Sequence, residues 1–444
     1  ALVESIRHVP PGPATVATLD LISDTVCQTV DPAELCRNTH ECPKWRAAAA
    51  KAYTSLQGFV GQLNAHRGLY DALVSAEREG SLTGEAAVVG AALRVDFERG
   101  GIALGPEEGG RLQRALAETL DAGIEFTSNI QHADTLPASA RARALDANRR
   151  SLGRLLDARA EQACLLGRHS YADLTVGAPM ALGGHPSTVT RWLQEVSSSI
   201  KQRAIIEVGG APVSESRLNM LEDRAKRAES DRVRVFQLSN TLNGVWTLLE
   251  RAFGVRAQHR KLEPNEGWAE GLQKVELADV ASGAPLGEVY LDLMARPGKL
   301  PGPAHFVIRC GRWDAERGEY QMPKVALVFG FSHEGRLTAA DVKTLFHEFG
   351  HALQSCLSRT EFQHLSGTRA PLDYVETMPL LMEGLALSAP MLPLLAPDQD
   401  ATRLRRWLAE TNGALAAVRL QWQCFFAGAD LALHSASGGG GGGG

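Results

Sequence analysis

TAADVKTLFHEFGHALQSCL, residues 338–357, contains His347-Glu348-Phe349-Gly350-His351, an HExxH pattern within a stretch of helical periodicity. Histidines at i and i+4 stack on one helix face, so their ring nitrogens can converge on a single metal ion. The glutamate between them, Glu348, then lies beside the metal, where it can take a proton from water. Thr338 and Asp341 read as a capping box that starts the helix. Val342, Leu345, Phe346, Phe349, Ala352 and Leu353 form an apolar stripe that would bury the helix and leave the histidines facing a cavity. The competing reading is a core helix with two hydrogen-bonded histidines, but a buried Glu348 would then need a partner of its own.

The third ligand distinguishes classes of zinc site. A metzincin would need glycine and histidine where this chain has Gln354 and Leu357, which excludes that class. The remaining candidates are acidic: Glu361, Asp373, Glu376 and Glu383. Asp373 and Glu376 share a face of a second apolar segment running through Leu380, Leu381, Met382 and Leu385. One of them can bind metal while the other orients a ligand histidine. Spacing alone does not rank Glu376 above Glu383.

A chain of 444 residues is long enough for two or three domains, and its net charge of −5 gives no reason to expect nucleic-acid binding. The Arg-rich run from Arg141 to Arg159 interleaves acidic and apolar residues and reads as a solvated helix face. Seven scattered cysteines without a CxxC pair indicate free thiols in a reducing compartment. Cys27, Cys36 and Cys42 near His40 do not match the spacing of a zinc knuckle. The most apolar region, Met378 to Pro397, is interrupted by Glu383 and four prolines, so no membrane insertion is expected.

Residues 14 to about 205 read as successive helices, including Ala47–Arg78 and Arg111–Leu120 after a glycine-rich turn at Gly105–Gly110. A further long helix is expected over 232–255. From Gly287 the pattern changes to short β runs at Glu288–Met294, His305–Cys310 and Val325–Phe331. The edge of a small sheet next to the HExxH helix can pair with an extended peptide backbone, or the sheet can be purely structural. The spacing therefore predicts a mainly α, multi-helical zincin-type fold with a small β-sheet beside the HExxH helix. Its parts would be a helical region 1–230, a catalytic zinc region 231–437 and a disordered glycine tail 438–444.

FHEFGHALQSCLSRTEFQHLSGTRAPLDYVETMPLLMEG, residues 346–384, resembles the M3 family of zinc oligopeptidases, and most of all its mitochondrial branch. The opening PPGPATVATLDLISDTVCQTVDPAELCRNTH (10–40) is similar too, as are GEVYLDLMARPGKLPGPAHFVIRCGR (287–312) and YQMPKVALVFGF (320–331). The likeness covers most of the chain and is thin between about residues 80 and 230. It implies one Zn2+ ion held by His347, His351 and Glu376, with Glu348 as general base. Asp373 takes a supporting position, and His364, Gly367 and Arg369 lie in the loop between the two helices. It also implies a metalloendopeptidase of the mitochondrial matrix that trims N-terminal octapeptides from imported precursors. A cytoplasmic general oligopeptidase is the alternative.

Two departures set a second expectation. The family's C-terminal helical region carries a glycine-rich loop with histidine and tyrosine groups for the substrate and oxyanion, and no matching loop follows AGADLALHSAS (427–437). Residues 213–237 also lack an expected stretch bearing tryptophan and tyrosine. These departures suggest a truncated, catalytically inactive zinc-binding fragment or pseudoenzyme.

Overall fold

The computed structural model describes residues 2–133, 138–176, 184–209, 234–412 and 415–435. The segment 213–233 and the glycine tail 438–444, both singled out in the sequence, lie outside the described residues. The fold is mostly helical, with one small mixed sheet beside the HExxH helix. It divides into two units, each discontinuous in sequence: Ala1–Arg94 with Val213–Ala414, and Val95–Pro212 with Leu415–Gly444.

The first unit contains the HExxH helix. Its short strands β1 (Phe236–Gln237) and β9 (Arg336–Leu337) pair with each other, as do β6 (Arg312–Asp314) and β7 (Glu319–Gln321). The main sheet has β2 (Val255–Arg260), β3 (Gln273–Asp279), β4 (Pro285–Met294), β5 (Ala304–Arg309) and β8 (Lys324–Phe331) in the order β2-β3-β4-β8-β5. The β4–β8 pair is parallel and the others antiparallel, so β5 forms one edge.

Side chains of a strand alternate between faces, and this sheet buries both. Val289, Leu291, Val325, Leu327 and Phe329 join one core with Val342, Leu345, Phe346, Phe349, Ala352 and Leu353 of helix Ala339–Leu357. Tyr290, Phe306, Ala326 and Val328 turn the other way, against Leu35 of helix Pro13–Thr39. The apolar stripe read from the sequence is therefore the helix face that meets the sheet. Burying Phe346 and Phe349 stabilises that contact by about 1.5–3 kcal/mol each. Trp246, from helix Leu238–Phe253, meets the Phe349 ring edge-on at 5.1 Å.

Three helix boundaries differ from the periodicity. The run Ala47–Arg78 is two helices, Pro43–Asn64 and Arg67–Arg78, because the His66 ring accepts from the Leu69 amide at 3.3 Å and caps the second. Most of the expected turn Gly105–Gly110 is the first turn of helix Pro106–Ala133, where proline suits the first position. The helix expected over 232–255 is Leu238–Phe253, and it ends at Gly254 with φ 65. Strands β2 and β3 were not anticipated at all.

The second unit is all helix in its described residues. Within it, Arg154 of helix Ala138–Leu165 pairs with Glu118 and Glu125 of helix Pro106–Ala133, so the basic run is partly neutralised by acidic neighbours. Glu207 accepts from the Ala417 and Val418 amides at 2.9 and 3.2 Å and caps the N-terminus of helix Ala416–Ser435. All seven cysteines are free. No helix among the described residues is long and apolar enough to cross a membrane.

One polar cluster fixes the loop between β4 and β5. Asp292, 3% exposed, accepts from Trp268 Nε1 (2.8 Å), Arg296 Nη1 (2.5 Å) and Nη2 (2.7 Å), and Lys299 Nζ (2.6 Å). Lys299 also donates to the carbonyls of Asp292 and Met294, and Arg296 to that of Thr39. Burial works to raise the Asp292 carboxyl, but these donors outweigh it and hold the pKa below the ordinary carboxylate value. A depressed carboxylate stabilises the fold above its unfolded pKa of about 4 and loses that contribution as pH falls through the folded value. Asp292→Asn leaves the buried Lys299 and the partly buried Arg296 underpaired and is expected to cost about 3–5 kcal/mol at pH 7. Thermal denaturation should show this deficit narrowing as pH falls below about 4.

Candidate metal and catalytic site

The capping box forms: Thr338 Oγ1 accepts from the Asp341 amide (3.1 Å), and Asp341 Oδ2 accepts from the Thr338 amide (2.8 Å). It fixes the start of helix Ala339–Leu357 and therefore which face His347 and His351 present. Opposite them the chain runs from a short helix, Leu372–Val375, into helix Thr377–Ala386. Glu376 occupies the break between these two helices.

The two helices cross at Gly350. A Cβ on that residue would lie 2.4 Å from Pro379 Cα and 2.7 Å from Pro379 N. Hydrogen is the only side chain that permits such backbone contact, and the contact carries Glu376 across to the histidines. His347 Nε2 lies 3.3 Å and His351 Nε2 3.7 Å from Glu376 Oε2. Among the described residues, this trio is the group able to hold a metal, with its ligand atoms all within 4.8 Å of one another.

The donor set fits zinc. Tetrahedral bonds of 2.0–2.1 Å put neighbouring ligand atoms about 3.3–3.5 Å apart, close to the separations found here. Two imidazoles and one carboxylate also match the ligand chemistry of hydrolytic zinc sites, which keep a fourth position open.

The two histidines have different surroundings. His347 is flanked on its other nitrogen by Glu383, with Nδ1 3.5 Å from Oε2. That is long for a hydrogen bond and short enough for attraction between a ring proton and a carboxylate. Glu383 was read only as an alternative ligand, and its sequence signal is the seven-residue step from Glu376, two turns along one helix face. His351 is 9% exposed and has Nδ1 buried without a hydrogen-bond partner among the described residues. Burial lowers the His351 pKa, the Glu376 carboxylate opposes that shift and His347 adds to it. His305 of β5 lies beside it, at a ring separation of 5.6 Å. Desolvation, with His351 adding to it, pushes the His305 pKa down to about 3.

Glu348 is 8% exposed. Burial raises its pKa, the neighbouring His347 opposes the shift and Glu376 adds to it. Asp373 lies in the short helix that leads into Glu376. Of the loop residues, Gly367 packs on the HExxH helix, where a Cβ would lie 2.6 Å from Ser355 Oγ, and the other two are anchored elsewhere. His364 Nδ1 meets Asp20 Oδ1 at 2.7 Å, and Arg369 reaches Asp31 at 2.7 Å with Cys310 and Cys27 on either side. These contacts tie the loop after the HExxH helix to helix Pro13–Thr39.

Residues 135–440 match peptidase family M3. The chain belongs to that family. Its members are metallopeptidases, and this chain is similar over most of its length to curated relatives. "Mitochondrial intermediate peptidase, mitochondrial" of Arabidopsis thaliana is 32% identical, over 96% of this chain and 73% of that protein. The mitochondrial intermediate peptidase of Malassezia globosa is 29% identical, over 98% and 69% respectively. That of Homo sapiens is 27% identical, over 98% of this chain and 70% of its own length.

Gly350→Ala should force helix Thr377–Ala386 away from the HExxH helix. The expected cost is about 1–3 kcal/mol of stability despite alanine's better helix propensity. Zinc affinity, measured by chelator competition, should fall because Glu376 moves with that helix. Unchanged affinity would show that the close contact does not set the ligand positions.

Proposed function

We propose that this chain hydrolyses peptide bonds with one zinc ion held by His347, His351 and Glu376, and with Glu348 as general base. The observation that supports this most is the convergence of two imidazole nitrogens and one carboxylate oxygen beside a buried glutamate. When bound, zinc supplies Lewis acidity, which polarises a carbonyl and brings the pKa of water towards about 7.

The protein groups do the rest. Glu348, next in sequence to His347, takes a proton from the attacking water and returns it to the departing amine. Its burial favours the protonated form and makes it a better base than a solvated glutamate. Glu383 and Asp373 are the acidic groups available to orient the ligands, Glu383 through His347 Nδ1. The edge strand β5 offers main-chain groups on which an extended peptide can pair without demanding one sequence.

The similarity to mitochondrial intermediate peptidases supports a reading of the substrate class. We assign the chain to the processing of imported precursor proteins in the mitochondrial matrix, with removal of short N-terminal peptides. The test uses two substrates: a precursor peptide carrying an N-terminal octapeptide, and a pool of unrelated short peptides. Preferential cleavage of the former supports precursor processing. Equal cleavage of both would indicate a general oligopeptidase, and cleavage of neither by the zinc-loaded chain would sink the peptidase assignment.

Two variants test the residue roles. Glu348→Gln should retain zinc and lose about a hundred- to ten-thousand-fold in turnover. His347→Ala should lose the metal, read by elemental analysis after dialysis; a full complement of zinc in this variant would refute the ligand set.

A further inference from the structure

His351 presents Nε2 to Glu376 and buries Nδ1 without a partner among the described residues, while His305 from the sheet edge stands 5.6 Å away, ring to ring. The two observations bear on each other. For Nε2 to give its lone pair to a metal, the proton of the neutral imidazole must sit on Nδ1. A buried N–H with no acceptor is costly, and metal-ligating histidines ordinarily donate that proton to a carboxylate, a carbonyl or water. His347 has Glu383 on its second nitrogen, whereas His351 has an imidazole close by.

We infer that His305 is a positioning residue for the metal site, accepting the Nδ1 proton of His351 on its own Nε2. Two features of the structure and one general property of the side chain support this assignment. His305 lies on the face of β5 turned to the HExxH helix, since its neighbour Phe306 packs on the opposite face. Its Nε2 is the nitrogen directed at that helix, 3.4 Å from Ser355 Oγ, one turn beyond His351. The final torsion of a histidine side chain is broad and soft, so a small ring rotation moves Nε2 from Ser355 towards His351 Nδ1. His305 is then the uncharged counterpart of Glu383. One ligand histidine is steered by a carboxylate and the other by a neutral ring, which adds no negative charge at the buried side of the site.

This inference rests on the zinc-site reading, and the experiment separates the two. Zinc affinity is measured by chelator competition for the native chain, His305→Leu and His305→Gln, with folding monitored by circular dichroism. Leucine fills the space without an acceptor, whereas glutamine restores one. The expected result is affinity about 10–100-fold weaker in His305→Leu and largely recovered in His305→Gln. Native affinity in a folded His305→Leu would overturn the inference while leaving the metal site intact. A native chain that binds no zinc would instead sink the site reading beneath it. Should neither variant fold, nitrogen–nitrogen coupling across the hydrogen bond is sought by NMR in the zinc-loaded, 15N-labelled native chain. Coupling between His351 Nδ1 and a His305 nitrogen supports the pairing, and its absence overturns it.

Discussion

The approach of two helix backbones at Gly350 and Pro379 is the constraint on which the rest of the site depends. The HExxH pattern brings two histidines to one face, but it cannot supply the third donor. That donor comes from a break between two helices, and a break has no side-chain rigidity of its own. It is held because helix Thr377–Ala386 begins one residue later and lies directly on Gly350, with no side chain between the backbones. The proline makes the contact one-sided: it has no amide hydrogen to lose and a fixed φ, so the first turn of that helix tolerates it well. Met382 and Ala386 continue the contact into the shared core, fully buried.

The opposite face of the HExxH helix is locked by different means. Its apolar stripe packs on β4 and β8 of the sheet and on Trp246, so rotation about the helix axis would expose several large side chains at once. The capping box fixes where the helix starts, which sets the rotational phase of every residue after it. Sheet, cap and crossing helix together leave the two ring nitrogens little freedom before any metal arrives. Pre-positioned ligands of this kind reduce what binding must spend on ordering.

Most of this was legible in sequence where the signal is local. The cap, the stripe and the i, i+4 histidines are all local patterns within twenty residues, and all appear as read. Strands at 285–294, 304–309 and 324–331 were also visible, because they are runs of β-branched and aromatic residues bounded by turns. Strands β2 (VRAQHR) and β3 (QKVELAD) escaped because their alternation is short, two apolar positions each (Val255 and Ala257, Val275 and Leu277) among mostly charged and polar residues; β3 is held in the sheet by pairing with β4 and β2 by pairing with β3. His66 ended a helix that alanine-rich periodicity would have continued, since a side-chain cap has no period. The position of Glu383 was out of reach for another reason: spacing did not rank Glu376 above Glu383 as a ligand, and only the helix crossing shows that Glu376 meets Nε2 of His347 and Glu383 its Nδ1.

The Asp292 cluster connects the far face of the sheet to this site. Asp292 lies near the end of β4, and its partners Arg296 and Lys299 belong to the loop that leads into β5. The Leu300 amide donates to the Asn38 carbonyl at the end of helix Pro13–Thr39, so the same loop is also tied to the helix on the sheet's other face. A loop rich in proline and glycine would otherwise leave the edge strand free to slide against β8. A one-residue slip would turn His305 away from the HExxH helix and bring Phe306 towards it. The charges around Asp292 thus act at a distance on the candidate site: they hold the register that gives the HExxH helix an imidazole neighbour, where a slipped strand would present an apolar ring.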